Sequence, residues 1–358
     1  MKIKKLTRGF FRENVIYLLL LLFISLFYMA SASLNLLEEV KPAIESGSLI
    51  KAQTDLPSEE GLRKLFAEGN IYAIGLYGIG TLLILGFLAG IGLDLVFVVL
   101  KFKGKEVIPR SFIMPEAGWQ AMDIVRIIIL YLFFSCLINC AFAASRYIFF
   151  IESLIVAVGK LDELSRLALS LSVSYILIIS LLVYFIVVKY KYKIEVLGLS
   201  VKGFFKNVFL GAAGYIALIP LLTLSAYVSL LLASFFNIGP EENPLLNVFQ
   251  TEGRPALVAY FVICICFLGP VVEEIFFRGF LYKALRKSFG VLPAVAVSSV
   301  FFAWLHMTFI GFLPIMVLGL LLAYLYEKNG TLIPSITVHI IHNSAIIIFV
   351  MIFKGLGS

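Results

Sequence analysis

Nine apolar segments, each close to the length that crosses a lipid bilayer, most constrain how this chain can fold. A hydrocarbon core of about 30 Å needs about 20 residues of α-helix. With 61% hydrophobic and 14% charged residues, the chain is far too apolar for a soluble globular protein. We predict an all-α fold, a polytopic membrane helix bundle with eight or nine transmembrane helices, because some segments are short or polar. The segments lie near residues 15–33, 71–100, 124–145, 167–188, 207–236, 255–272, 292–309, 312–327 and 331–353.

The placement of basic residues predicts which side of the membrane each loop occupies. Lys and Arg residues of short loops stay in the cytoplasm. They are concentrated before the first apolar segment and in every second loop after it, whereas the loops between hold acidic groups such as Glu59 and Glu60. We therefore predict a cytoplasmic N-terminus and a retained first helix, although Ala30-Ser31-Ala32 resembles a signal-peptidase site. The net charge of +7 follows from this pattern and implies no nucleic-acid partner. The basic residues are Lys2, Lys4, Lys5, Arg8, Arg12, Lys101, Lys103, Lys105, Arg110, Lys189, Lys191, Lys193, Lys202, Lys206, Lys283, Arg286 and Lys287.

The two halves of the chain differ in their polar content. Residues 1–194 supply about four apolar segments and an outer loop over 34–70, with no motif, and we predict an N-terminal transmembrane scaffold. Asp94 lies there in a glycine-rich stretch and is interpreted as a polar group bonded to a neighbouring helix. Residues 195–358 contain all three histidines of the chain, and we predict that they form the functional domain. Four cysteines inside apolar segments are interpreted as small hydrophobic residues: Cys136, Cys140, Cys264 and Cys266.

Two adjacent carboxylates, Glu273 and Glu274, lie at the end of an apolar run that begins near Pro255. An acidic residue in a membrane helix costs roughly 2.5 to 3.5 kcal/mol on insertion scales, so the pair is expected to line a polar cavity or to meet a partner. Positions four apart share a helix face, whereas adjacent positions diverge. We predict a structural ion pair between Glu274 and Arg278, which leaves Glu273 free for chemistry. The alternative is that both carboxylates only satisfy Arg278 or interfacial water.

Counting helical rise places three polar elements at one depth in the membrane. If the helix of Glu273 turns near residues 288–292, Glu273 lies about 22 Å before the turn and His306 about 20 Å after it. His339 lies about 14 Å beyond the next cytoplasmic turn. His306 follows Phe302 on one helical stripe, and His339 is four residues from Asn343. We expect these groups to meet roughly 10 to 15 Å below the cytoplasmic surface.

The types of these side chains indicate hydrolysis of an amide. Two imidazoles and a carboxylate suit Zn²⁺ with a position left for water, and we predict a divalent metal, with zinc the first choice, held by His306, His339 and Glu273. A glutamate can take the proton of such a water, and the amide of Asn343 suits a tetrahedral oxyanion. His342 is about 60° off the shared face, so it is either a supporting group behind the site or a lipid-interface residue. No HExxH or Gly-x-Ser-x-Gly motif is present.

The three motifs in this order resemble the CPBP family of intramembrane proteases, also called the Abi or CAAX-protease family. They are Glu273-Glu274-xxx-Arg278, Phe302-xxx-His306 and His339-xxx-Asn343. The family includes the eukaryotic type II CAAX prenyl endopeptidase and bacterial proteins linked to bacteriocin self-immunity and peptide maturation. The resemblance covers roughly residues 195–353. It implies an intramembrane metalloendopeptidase, a hydrolase, with a conical active-site cavity open to the cytoplasmic side.

The resemblance also assigns roles to the matching positions. Glu273 would activate the attacking water, and Glu274 would be its partner. His306 and His339 would lie at the metal or the water, and Asn343 at the oxyanion. Whether a metal or the glutamate alone activates the water stays open. All the expected positions are filled, which is typical of an active member.

The substrate is predicted less closely than the reaction. Candidates are a short peptide or a membrane-anchored protein cleaved near the cytoplasmic face, such as a CAAX-type, leader, bacteriocin or signalling peptide. The short basic N-terminus and compact loops favour a bacterial plasma membrane. One alternative is a non-catalytic peptide-binding or bacteriocin-immunity membrane protein. A second alternative is a transporter, which the sequence disfavours because it shows no inverted repeat.

Overall fold

A computed structural model of the chain describes residues 14–27, 59–105, 117–144, 162–239, 248–249 and 253–357. These residues are mostly helical, and none of them forms a β-strand. The basic N-terminus, Arg110, positions 34–58 of the predicted outer loop and Glu241, Glu242 and Glu252 lie outside the described residues. The helices are α1 (Asn14–Phe27), α2 (Glu59–Ala67), α3 (Ile71–Phe102), α4 (Ala121–Ala144), α5 (Glu163–Val183, continued by the π-helix Tyr184–Lys189), α6 (Phe204–Phe235), α7 (Pro255–Phe289), α8 (Val291–Trp304), α9 (Phe309–Asn329) and α10 (Ile333–Gly357).

Seven of the described helices are long and apolar enough to cross a membrane, namely α3, α4, α5, α6, α7, α9 and α10. Two shorter apolar helices, α1 and α8, occupy the remaining predicted segments. The predicted polytopic membrane helix bundle is therefore confirmed. Helices of 14 residues, the length of α8, rise only about 21 Å, so the choice between eight and nine spans depends on how these two are placed in the bilayer.

The chain forms two compact units. One comprises residues 1–54 and 122–185, and the other comprises residues 55–121 and 186–358. The predicted division at residues 194/195, between an N-terminal scaffold and a catalytic domain, stays a prediction. Helix α3, which belongs to the predicted scaffold, is part of the second compact unit.

The first unit has its own small core between α1 and α4. Arg126 donates to the Asn14 side-chain oxygen over 2.9 and 3.1 Å and forms an ion pair with Asp123 at 3.0 Å. Below this polar cluster, Ile24 packs against Ile129 and Cys136. Cys136 is buried and forms no disulfide among the described residues, in keeping with its interpretation as a small hydrophobic residue, and the side chain of Cys140 lies outside the described part of the chain.

The second unit is built around α6, which contacts α3, α9 and α10, while α8 packs against α9. Gly90 lets α3 approach α6 closely, because a Cβ at this position would lie 2.5 Å from the Ile216 carbonyl oxygen. Asp94 is exposed on α3. The glycine-rich stretch thus serves the contact between α3 and α6.

A short connector before α6 crosses the ends of α7, α9 and α10. It comprises residues 194–200, which we call the strap, and it begins with the 3₁₀ turn Ile194–Leu197. Gly198 has φ +87, and its carbonyl accepts the Leu332 N–H at 3.0 Å. The Tyr326 hydroxyl donates to the Leu197 carbonyl at 2.8 Å.

The strap contacts a lysine near the end of α7. Lys283 is only 3% exposed and donates to the Val196 carbonyl of the strap, while the exposed Lys287 donates to the Ala117 carbonyl at 2.9 Å. Both lysines satisfy carbonyls of irregular backbone, which accounts for the burial of Lys283. The sequence also predicts that the last two turns of α7 project from the membrane, and this stays a prediction.

Candidate active site

The two glutamates lie in a short α-helical stretch of α7 between two π-helical segments. Gly269–Glu274 is α-helical, Cys264–Leu268 precedes it and Ile275–Tyr282 follows it. In a π-helix each N–H reaches the carbonyl five residues back, and the Gly269 N–H does so to the Cys264 carbonyl. Pro270 has no N–H, so the Ile265 carbonyl must find another donor. Single π-helical turns inside α-helices are frequent at functional sites.

Asn343 of α10 supplies that donor. Its Nδ2 donates to the Ile265 carbonyl over 2.9 Å, replacing the N–H that Pro270 lacks. An amide nitrogen carries two hydrogens, so one remains for a further acceptor. Helix α10 is therefore joined to α7 about two turns before the glutamates.

Glu274 is fully buried and meets two cationic or donor groups. Its Oε1 lies 2.7 Å from Arg278 Nη1, and both side chains are 0% exposed. Arg278 Nη2 also donates to the Gly319 carbonyl of α9 at 3.2 Å. The Glu274 Oε1 atom lies 3.1 Å from His339 Nδ1. Oε1 accepts an Arg278 N–H, so it acts as an acceptor, and His339 then donates to it through Nδ1.

This contact fixes the other face of the His339 ring. With the proton on Nδ1, a neutral His339 keeps a lone pair on Nε2. That Nε2 lies 3.8 Å from Glu273 Oε2, which is too long for a direct hydrogen bond. The Glu273 side chain is 33% exposed, in contrast to Glu274. The pair of adjacent carboxylates is thus divided into one buried and one accessible group.

Phe302 lies at the centre of the cluster. Its ring is 4.8 Å from the His306 ring and 5.5 Å from the His339 ring, both in edge-on geometry. The Arg278 guanidinium carbon lies 4.5 Å from the same ring centroid, a cation–π contact. Phe302 is 0% exposed and holds these three groups around one aromatic surface.

His306 does not lie on the helical stripe that the sequence predicts. Helix α8 ends at Trp304, and Met307 adopts φ +52, so His306 lies in the turn that follows. The side chain still reaches back, because its Nδ1 is 2.7 Å from the Phe302 carbonyl oxygen. A carbonyl only accepts, so Nδ1 carries the hydrogen and Nε2 faces away from this contact.

His342 has a partner that the sequence motifs do not indicate. Its Nδ1 lies 3.4 Å from the Tyr215 hydroxyl of α6, and the two rings are 6.0 Å apart. His342 also interacts electrostatically with His339 and His306. Of the two alternatives open from the sequence, this position behind the other histidines agrees with the supporting group.

The predicted metal centre finds limited support in the geometry. Glu273 Oε2 and Glu274 Oε2 are buried and have no hydrogen-bond partner among the described residues. Within that same part of the chain, no three or more His, Cys, Asp or Glu side chains are grouped to hold a metal ion. We therefore derive no step through a metal, and the set of His306, His339 and Glu273 as metal ligands stays a prediction.

Sequence reasoning missed the backbone partners of the site and Tyr215. Only one of these carried a signal in the sequence, since Pro270 inside an apolar helix marks a carbonyl that needs a donor from elsewhere. The contacts to Gly319 and Ile265 depend on how α9 and α10 pack against α7, which no local pattern encodes.

The motif residues of this site lie within a match to a known protein family. Residues 255–345 match the family model described as type II CAAX prenyl endopeptidase Rce1-like. We call this matched stretch the Rce1-like domain. Comparisons with curated proteins and with solved structures gave no significant match. The resemblance to the CAAX-protease family is thereby confirmed over a shorter stretch than the predicted 195–353.

The Rce1-like domain contains all the motif residues that meet in the structure, from Glu273 in α7 to Asn343 in α10. At the level of the family it indicates a CAAX-type membrane protease, in agreement with the apolar helices. Tyr215, the strap and residues 117–120 lie outside it. The domain thus supplies the polar side chains, and other parts of the second unit support them.

Proposed function

We propose that the chain is an intramembrane endopeptidase that hydrolyses a peptide bond with a water molecule activated by Glu273. The observation that carries this proposal is the 3.8 Å spacing of Glu273 Oε2 and His339 Nε2. Both atoms are acceptors, so one water molecule can donate a hydrogen to each. Its oxygen lone pairs then remain for attack on a carbonyl carbon. The Rce1-like domain supports the same reaction class.

Glu273 acts as general base and then as general acid. As the water oxygen bonds to the substrate carbonyl carbon, Glu273 takes one proton and the carbonyl oxygen becomes an oxyanion. The protonated Glu273 next gives this proton to the amide nitrogen as the carbon–nitrogen bond breaks. The products are a carboxylic acid and an amine. A positioned carboxylate of this kind contributes about 10²- to 10⁴-fold to rate.

The surrounding groups orient the reactants and stabilise the oxyanion. Glu274 holds the His339 ring through Nδ1, while Arg278 forms an ion pair with Glu274. We assign to Asn343 the oxyanion contact, through the amide hydrogen that does not bond to Ile265. His306 is assigned a place beside the attacking water, with its Nε2 lone pair left for a donor on the substrate.

The substrate class follows from the membrane setting. We propose a short or membrane-associated peptide, of the CAAX, leader, bacteriocin or signalling type, cleaved at the cytoplasmic side of a bacterial plasma membrane. The partial exposure of Glu273 supports access of an extended peptide to the site. A requirement for a divalent metal such as zinc stays a prediction.

Peptide hydrolysis by the purified protein in nanodiscs tests this function. A library of quenched fluorescent peptides, prenylated and unprenylated, would be incubated with the wild type, with Glu273→Ala and with the control Lys206→Ala, which changes an exposed residue of α6. We expect cleavage by the wild type and the control and a loss of about 10²-fold or more in Glu273→Ala. Full activity in Glu273→Ala would end the proposal. Chelation followed by added Zn²⁺ tests the metal separately.

A further inference from the structure

The second π-helical segment, Ile275–Tyr282, is held from outside the Rce1-like domain by Trp119. The indole Nε1–H donates to the Phe280 carbonyl over 2.9 Å. The indole also stacks on the Phe280 ring with centroids 5.1 Å apart and planes 4° from parallel. Trp119 is 0% exposed, and it is one of two tryptophans in the chain.

The Phe280 carbonyl is shared between two donors. It accepts the Lys283 N–H within α7 and the Trp119 N–H from outside. In a regular α-helix this carbonyl would accept the N–H of the residue four positions later. A carbonyl oxygen has two lone pairs, and the Lys283 and Trp119 donors fill both, which favours the π-helical arrangement over the regular one.

The residues around Trp119 keep the indole fixed. Gly118 has no room for a side chain, because a Cβ would lie 2.5 Å from the Tyr192 ring. The Trp119 and Tyr192 rings are 6.2 Å apart in edge-on geometry. On the other side, Lys287 at the end of α7 donates to the Ala117 carbonyl. Residues 117–119 therefore form hydrogen bonds with two residues of α7, Phe280 and Lys287.

The register of this segment decides where Glu273 points. The end of α7 is anchored by Lys283 on the strap and by Lys287 on Ala117. A π-helical turn accommodates one extra residue. If the segment relaxed to a regular α-helix, the helix before it would rotate by one residue, roughly 100° at 3.6 residues per turn. Glu273 would then leave the direction in which it meets His339.

We propose that Trp119 is a positioning residue that holds the Ile275–Tyr282 segment in π-helical register and thereby directs Glu273 toward His339. This inference rests on the proposed function for its kinetic consequence. Its structural consequence, the direction of the side chain at position 273, is independent of any activity. A displacement of about 1 Å at a reacting group can cost as much as about 100-fold in rate.

Two substitutions separate the hydrogen bond from ring packing. Trp119→Phe keeps an aromatic ring on Phe280 and removes the N–H donor, whereas Trp119→Ala removes both. Tyr326→Phe is the matched control, because it also removes one donor to a buried backbone carbonyl, that of Leu197 in the strap, and leaves the Phe280 carbonyl untouched.

The decisive measurement is the reaction rate of a thiol at position 273. Glu273→Cys would be made in a background in which the four native cysteines are replaced by alanine, and a water-soluble maleimide would be added to the detergent-solubilised protein. We expect Trp119→Phe to slow modification at least fivefold and Tyr326→Phe to change it less than twofold. An unchanged rate in Trp119→Phe overturns the proposal, whatever the enzyme assays give.

Kinetics on the native glutamate give the second readout. We expect Trp119→Phe to lower kcat by 10- to 100-fold with KM within twofold, and Tyr326→Phe to leave both constants unchanged. Equal losses of kcat in the two variants would show a general structural effect and contradict the assignment. If the wild type cleaves no peptide, the proposed function fails while the thiol measurement still decides the role of Trp119. Should Trp119→Ala not fold, Trp119→Phe carries both tests.

Discussion

The side chain of Asn343 donates to the Ile265 carbonyl over 2.9 Å, at the place where Pro270 withholds a backbone N–H. In the π-helical segment Cys264–Leu268, the residue five positions after Ile265 would be the donor. A side chain on α10 thus completes the backbone hydrogen bonding of α7. Pro270 and Asn343 thus belong to the same local hydrogen-bond arrangement, although 73 positions separate them in the sequence.

A double-mutant cycle tests the coupling between Pro270 and Asn343. Asn343→Ala leaves the Ile265 carbonyl unsatisfied and should destabilise the protein by about 1–3 kcal/mol. Pro270→Ala restores a backbone N–H, so the double variant should lose at least about 1 kcal/mol less than the sum of the single losses. Denaturant unfolding in detergent measures the three values. Simple additivity would show that Pro270 and Asn343 are not coupled.

The same double variant separates the two roles of Asn343. If its remaining amide hydrogen binds the oxyanion, peptide hydrolysis should stay low after stability returns. Loss of one such donor typically costs about 10²- to 10³-fold in kcat. Recovery of activity along with stability would leave Asn343 with a structural role alone.

The buried ion pair predicts an asymmetry between single and double substitutions. Glu274→Gln leaves the fully buried Arg278 without its counter-charge, at a cost of about 3–5 kcal/mol. Replacing both partners by apolar residues, as in Glu274→Leu with Arg278→Met, should be much less costly because no charge stays buried. Thermal unfolding of the wild type and these two variants tests this. A double variant as unstable as Glu274→Gln would contradict it.

Gly198 and Gly69 form a matched pair for testing the strap. Both have positive φ, +87 and +78, but an added Cβ meets the Gly330 carbonyl oxygen at 2.8 Å only at Gly198, and nothing within 4 Å at Gly69. Gly69→Ala should cost about 1–2 kcal/mol for the left-handed backbone alone. Gly198→Ala should cost clearly more because the strap must shift from Gly330. Similar unfolding midpoints for the two variants would show that the strap can move away from Gly330 at little cost in stability.

The predicted orientation can be tested by labelling single thiols in a cysteine-free background. Glu60→Cys in α2, which precedes α3, and Lys103→Cys directly after α3 each place an exposed thiol on the chain. With a cytoplasmic N-terminus, a membrane-impermeant maleimide should label position 60 on intact cells and position 103 only after the membrane is opened. Labelling in the reverse order would invert the topology.

The membrane fold could be predicted from composition and segment length because both act locally. Each of the nine apolar segments coincides with a helix, from Asn14–Phe27 to Ile333–Gly357. The termination of α8 before His306 could not be predicted, since it depends on the left-handed Met307 rather than on apolar periodicity. The burial of Lys283 escaped prediction for a similar reason, because the strap that covers it lies more than 80 positions earlier.

At the site, the ion pair between Glu274 and Arg278 could be predicted from their spacing of four residues. The π-helical geometry of Ile275–Tyr282 does not prevent this contact. The contact of Glu274 with His339 could not be predicted, because the sequence gives no measure of how α10 faces α7. Hydropathy also does not distinguish Trp119 or Tyr215 from other aromatic residues in apolar surroundings. Their role appears only when the acceptor of each polar atom is known.

The anchoring of α7 also bears on how this protein could be divided or transplanted. The carbonyl of Phe280 and the amine of Lys283 belong to the Rce1-like domain, but their partners, Trp119 and Val196, are encoded far upstream. A fragment limited to residues 255–345 would carry every motif residue and yet lack both of these partners of α7. A minimal functional version must therefore also include the short sequences around positions 117–120 and 192–200.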